Sequence, residues 1–105
     1  MFDWYKPSQN LECPVCKVAL FEWQGKGGPN GLFIWREGEL SPVDQLVDDD
    51  CKISQDARGS FRLPENFEIY SYDCERHRVL ANCVTRDGAW SETNIVAVTD
   101  LGMPT

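Results

Sequence analysis

Two short steps in this chain have the residue types and spacing to do coordination chemistry: Cys13-Pro14-Val15-Cys16 near its start and Cys74-Glu75-Arg76-His77 far downstream. Each step places two soft or borderline donors three positions apart, so a curled backbone can present both side chains to one ion. Together Cys13, Cys16, Cys74 and His77 supply four ligands, the number a closed tetrahedral zinc site requires. His77 is the chain's only histidine, which ties it to this constellation. Cys83, a few residues beyond, is an alternative fourth ligand, although a mid-strand position points away from a knuckle.

A second chemistry for Cys13 and Cys16 is thiol–disulfide exchange. It needs a cysteine at a helix start, where the dipole lowers its pKa. Val18-Ala19-Leu20-Phe21-Glu22-Trp23 reads as a strand, not a helix, so the context favours metal over redox catalysis. The remaining thiols have plainer readings. Cys83 sits in Leu80-Ala81-Asn82-Cys83-Val84, a strand pattern in which a buried thiol is ordinary. Cys51 follows Asp48, Asp49 and Asp50, which oppose a thiolate.

Other constellations are absent. There is no Gly-x-Ser-x-Gly elbow and no His-x-Glu step of the zinc deaminases. The carboxylates Asp44, Asp48, Asp49, Asp50 and Asp56 lack calcium-loop spacing. They read as a solvated face or a contact surface for a basic protein. Gly25-Lys26-Gly27-Gly28-Pro29-Asn30-Gly31 has no strand-loop-helix setting, so it is read as a hairpin tip and not as a phosphate cradle.

The elements that must position these ligands follow from pattern. Val18 to Trp23 and Leu32 to Arg36 flank the glycine-rich tip as a hairpin. Ser41-Pro42-Val43-Asp44 has the cap, proline and acidic first turn of a short helix, with Val43, Leu46 and Val47 toward the core. A second small turn runs from Ser54 to Arg58-Gly59. Phe67, Ile69 and Ser71 alternate with Glu68, Tyr70 and Tyr72, which predicts a strand. Val79 to Thr85, a tight Arg86-Asp87-Gly88 turn and Ala89 to Thr99 complete an antiparallel meander, and 101–105 is a tail. Trp4 and Tyr5, near the terminus in a polar context, are expected over an open end of the sheet or in an interface.

The two steps resemble the knuckles of the zinc ribbon, a family of small β domains in which two hairpin-borne knuckles clasp one zinc ion. The matching residues are Cys13, Cys16, Cys74 and His77, with Pro14 in the Cys-Pro-x-Cys position. Lys17 stands where such knuckles often carry glycine, and the long stretch from Lys17 to Asp73 becomes an insertion. The resemblance implies one structural zinc ion. The expected fold class is α+β, predominantly antiparallel β: a zinc-ribbon-like site with an inserted hairpin and one short helix, in a single domain over 1–105.

Composition bounds the role. The chain has 105 residues, 42% hydrophobic, enough to bury a core. An odd cysteine count, no apolar run of membrane length and no basic-apolar start suggest a cytoplasmic protein. A net charge of −7 disfavours phosphate-backbone binding, and Arg76 with Arg78 is the nearest thing to a basic cluster. The expectation is a non-enzymatic, zinc-stabilised protein-interaction module, in its concrete form an acidic inhibitor or immunity-type partner of a basic protein. A thiol redox protein and a nucleic-acid-binding ribbon are the alternatives.

Overall fold

The computed structural model describes residues 2–101. Its β-rich, mostly antiparallel architecture is clearest in the second half of the chain. Strands β7 (Asn66–Ser71), β8 (His77–Arg86) and β9 (Ala89–Asp100) form the expected meander. The numbering follows chain order, and β1 to β6 are given below. Alternation holds: Phe67, Ile69 and Ser71 are buried, as are Val79, Ala81, Cys83 and Thr85 on the neighbouring strand. Asp87 and Gly88 both have positive φ, 55° and 84°, the turn geometry whose twist suits a two-residue hairpin.

Between β8 and β9 the register shifts at Leu80/Ala81 and again at Val84/Thr85. Such bulges bend a strand and sharpen its twist. The bent start of β9 turns Trp90 fully inward, where its ring meets Tyr5 at 5.9 Å and Phe67 at 5.7 Å. The Gly38 N–H then donates to the Trp90 carbonyl at 2.7 Å, and the Thr93 hydroxyl donates to Glu37 Oε1 at 2.7 Å. The sheet therefore curls, and its first half meets its last strand.

In the first half the order is not the expected one. Strand β1 (Asp3–Lys6) lies between β4 (Trp23–Gly25), to which it is antiparallel, and β5 (Phe33–Arg36), to which it is parallel. The expected hairpin of residues 18–36 is thus split by an inserted strand, and the glycine-rich segment is a crossover, not a tip. With β6 (Asp44–Gln45) the seven-stranded order is β6-β5-β1-β4-β7-β8-β9.

A buried carboxylate holds this insertion. Asp3, fully buried, accepts from the N–H groups of Asn30 at 3.1 Å, Gly31 at 2.8 Å and Phe33 at 3.0 Å, and from Trp35 Nε1 at 3.0 Å. A Cβ added at Gly28 would lie 2.6 Å from Asp3 Oδ2, so the crossover must be bare of side chain there. Tyr5 is 1% exposed and its hydroxyl accepts from the Gly28 N–H. The reading of Trp4 and Tyr5 as a terminal dock or interface is corrected for Tyr5, a core residue of a central strand.

The helix expected from Ser41 through Val47 is also corrected. The Val43 N–H donates to the Ile34 carbonyl at 2.8 Å and the Leu46 N–H to the Leu32 carbonyl at 2.9 Å, so the segment is extended along β5. Gln45, not Leu46, turns inward, and its amide joins the Gly31 carbonyl to the Ile53 N–H. Long-range backbone partners outweigh the local cap signal. A 3-10 turn, Asp49–Cys51, follows. The smaller turn read after Ser54 is present as α1 (Gln55–Arg58), with the Ser54 hydroxyl accepting from the Ala57 N–H. The tail read at 101–105 lies, Leu101 apart, outside the described residues.

Candidate metal centre

The first ligand step is the tip of a small hairpin. Strands β2 (Leu11–Glu12) and β3 (Ala19–Leu20) pair antiparallel and bring the chain to Cys13 and away from it. Across the tip, the Cys13 N–H donates to the Val18 carbonyl and the Lys17 N–H to the Cys13 carbonyl, each at 2.9 Å. The Cys16 N–H points at Cys13 Sγ, 3.4 Å away. Lys17 has φ of 62°, the left-handed conformation that glycine adopts without strain, so lysine takes the backbone path of the residue it stands in for.

The second step occupies the turn between β7 and β8, closed by the His77 N–H donating to the Cys74 carbonyl at 3.3 Å. The Arg76 carbonyl accepts from the Leu101 N–H, which fixes the turn to the end of β9. The Arg78 guanidinium lies over the Tyr70 ring, 5.9 Å from the centroid.

The fold brings all four expected ligands to one point. The donor atoms of Cys13, Cys16, Cys74 and His77 lie within 4.8 Å of one another. His77 Nδ1 is 3.7 Å from Cys13 Sγ, 3.4 Å from Cys16 Sγ and 3.6 Å from Cys74 Sγ. A tetrahedral ion at about 2.3 Å from sulfur and about 2.0 Å from nitrogen sets those atoms about 3.5 Å apart. The group is therefore a Cys3His cluster compatible with holding a metal ion. Cys13 and Cys74 are buried and belong to the hydrophobic core, whereas Cys16 and His77 are half-buried.

The thiols differ electrostatically. Burial opposes the Cys13 thiolate, but the N–H groups of Cys16 and Val15 and the thiols of Cys74 and Cys16 outweigh it and pull it below the ordinary thiol value. Cys16 is pushed up by burial and by the neighbouring Cys74 and Cys13. A bound cation would favour the thiolate at every position.

Cys83 is not part of the group. It lies within β8, fully buried, with Sγ 4.0 Å from Thr93 Oγ1, and burial pushes its thiol up to about 12. Cys51 is exposed in the 3-10 turn.

One residue of the site went unread in the sequence. Asp73 Oδ2 accepts from the N–H groups of Phe21 at 2.6 Å and Glu22 at 2.7 Å. These bonds break the expected strand of 18–23 between β3 and β4 and stitch the first hairpin to the second knuckle. The available signal was an Asp directly before a ligand step, a type that commonly caps turns through its side chain. A cleft of about 300 Å3 lined by Cys16, Asp73, Cys74, Glu75 and Arg76 adjoins the centre.

Among the described residues no helix is long and apolar enough to cross a membrane. No family model matches the chain, and neither a curated protein nor a solved structure shows a match.

Proposed function

We propose that this chain is a protein-interaction module stabilised by one structural zinc ion on Cys13, Cys16, Cys74 and His77. The observation that carries this reading is the fit of the N–S separations, 3.4 to 3.7 Å, to a zinc tetrahedron. Three thiolates and an imidazole are a donor set suited to zinc and foreign to magnesium or calcium. Four protein ligands leave no coordination position for a substrate, so the ion serves the fold and not catalysis. The knuckles on β2–β3 and β7–β8 support a zinc-ribbon-like reading of the site alone, since a seven-stranded sheet carries the rest.

The partner is a basic protein. The net charge of −7 and the exposed Glu39, Asp48, Asp49, Asp50 and Asp56 favour steering of such a partner and disfavour nucleic acid. An inhibitor or immunity-type role fits that chemistry.

Elemental analysis and a thiol count on the native protein test the core of this reading. The expected result is about one zinc per chain, with chelation exposing the ligand thiols and melting the knuckle end. A folded, zinc-free protein whose Cys13, Cys16 and Cys74 thiols all react freely would sink it and turn attention to thiol redox chemistry at Cys13 and Cys16.

A further inference from the structure

The three thiols of the cluster are alike in chemistry and unlike in access. Cys13 is 0% exposed and Cys74 1%, whereas Cys16 is half-buried. Val15 and Val18, on either side of Cys16, are both exposed, so the rim of the first knuckle stands open to solvent. The cleft of about 300 Å3 beside the centre is lined by Cys16 and leaves room for a molecule little larger than water. A bound ion holds every cluster thiol as its thiolate, so access and not acidity selects the sulfur that an oxidant meets first. The thiols outside the cluster complete the contrast. Cys83 is sealed within β8, and Cys51 is exposed but stands apart from the other donors.

We infer that Cys16 is the site at which a hydroperoxide oxidises the cluster, and that a Cys13–Cys16 disulfide then forms and expels the ion. This inference rests on the zinc-centred reading and adds a redox regulation to it. In the first step the Cys16 thiolate attacks one peroxide oxygen and the O–O bond breaks. Cys16 becomes a sulfenic acid, and the departing hydroxide takes a proton from solvent and leaves as water. In the second step the Cys13 thiolate attacks the Cys16 sulfur, the S–O bond breaks, and a second hydroxide leaves as water. Two thiolates have lost two electrons, and hydrogen peroxide has been reduced to two waters with two protons from solvent. Geometry selects Cys13 for the second step. The two cysteines end one turn, beside the bond from the Lys17 N–H to the Cys13 carbonyl, and the Cys16 N–H points at Cys13 Sγ, 3.4 Å away. Such a turn keeps its end Cα atoms within about 7 Å, and a disulfide needs about 4.4–6.8 Å. Cys74, in contrast, belongs to the other knuckle. The ion is left with Cys74 and His77, too few ligands to hold it, and the two knuckles lose their common clasp.

The test treats the full, zinc-loaded chain with hydrogen peroxide, after elemental analysis has established its metal content. Zinc release is followed with a colorimetric indicator, and the thiols are assigned by peptide mapping. The expected result is loss of the ion in step with a Cys13–Cys16 disulfide, both reversed by a thiol reductant and added zinc. Dimedone, which traps sulfenic acids, should mark Cys16 and neither Cys13 nor Cys74. Cys51→Ser, at an exposed position outside the cluster, should change neither the rate nor the pairing. A chain that holds no zinc before treatment overturns the zinc-centred reading and this inference together. A zinc-loaded chain that keeps its ion and thiols under peroxide, is trapped first at Cys13 or Cys74, or pairs Cys16 with Cys74 overturns this inference alone.

Discussion

At the knuckle end, two strands of two residues each bring Cys13 and Cys16 to a cluster, completed by Cys74 and His77 from the β7–β8 turn, whose donor atoms lie within 4.8 Å, and few backbone bonds hold that first hairpin in place. At the meander end, β8 and β9 pair from His77↔Asp100 to Arg86↔Ala89 and bury a continuous row of side chains. The first region is made by side-chain chemistry and the second by a hydrogen-bonded ladder over apolar surface. Both contribute to one core, since Cys13 and Cys74 pack with Trp23, Ile69 and Val79 in the same cluster. A short hairpin that could not persist alone is thereby anchored by ligands whose sulfurs double as core atoms.

The largest effect that separates the two regions is expected from Cys74→Ser. Losing one ligand of the cluster should lower Tm by more than about 10 °C, if the ion supplies even part of the roughly 10 kcal/mol known for structural zinc. Hydrogen exchange should show residues 11–22 opening while the β8–β9 amides stay protected. Equal loss of protection in both regions would mean that they form one cooperative unit.

Next comes Asp3→Ala, which strands three backbone donors and the Trp35 indole around a missing carboxylate. A cost of about 3–5 kcal/mol is expected in urea melts, because the orphaned donors are buried. Asp3→Asn should recover part of it by keeping one acceptor oxygen.

The two regions should also fail at opposite ends of the pH scale. Acid protonates the cluster's thiolates and competes with the ion. Alkali acts through Cys83, whose folded-state pKa is raised by burial to about 12, above the ordinary thiol value, alongside the Tyr5 hydroxyl, which burial also pushes up. The folded chain keeps the Cys83 proton while the unfolded chain releases it. The resulting stability is complete below about pH 9 and falls as pH rises toward about 12. Cys83→Ala should flatten this slope in urea midpoints taken across that window, and an unchanged slope would exclude Cys83 as its source.

The smallest effect is expected at Lys17. Its positive φ costs a lysine about 1 kcal/mol, part of which Lys17→Gly returns to the unfolded chain's entropy. A net gain of about 0.5 kcal/mol in the metal-bound protein would confirm that the knuckle's backbone is strained only at this point.

What could be read from the chain alone follows the range of the interactions. The ligand steps were legible because two intervening residues confine both donors to one turn. The Asp87-Gly88 turn and the alternation of Phe67, Ile69 and Ser71 were legible for the same reason. The pairing of the two knuckles was inferred from ligand arithmetic, without a path for the chain between them. What escaped depends on distant partners. Nothing around Asp3 announces donors at Asn30, Gly31, Phe33 and Trp35, so β1 was not placed inside the sheet. The cap at Ser41 and the spacing of Val43, Leu46 and Val47 describe a helix that would form only if β5 offered no free edge. Gln45 decides the matter by bonding Gly31 and Ile53, residues on either side of it in the chain.

The insertion of β1 has a consequence for how the chain reaches its folded state. The first strand of the sequence has both its neighbours still to come, and its parallel pairing with β5 closes only after the crossover has been laid down around Asp3. Loop closure must therefore be met before the aromatic core can form, which raises contact order and slows folding. The meander, all local hairpins, is free to form early. The placement of Asp3–Lys6 between two strands that are neighbours in the chain is therefore the step expected to form late, after the local hairpins of the meander.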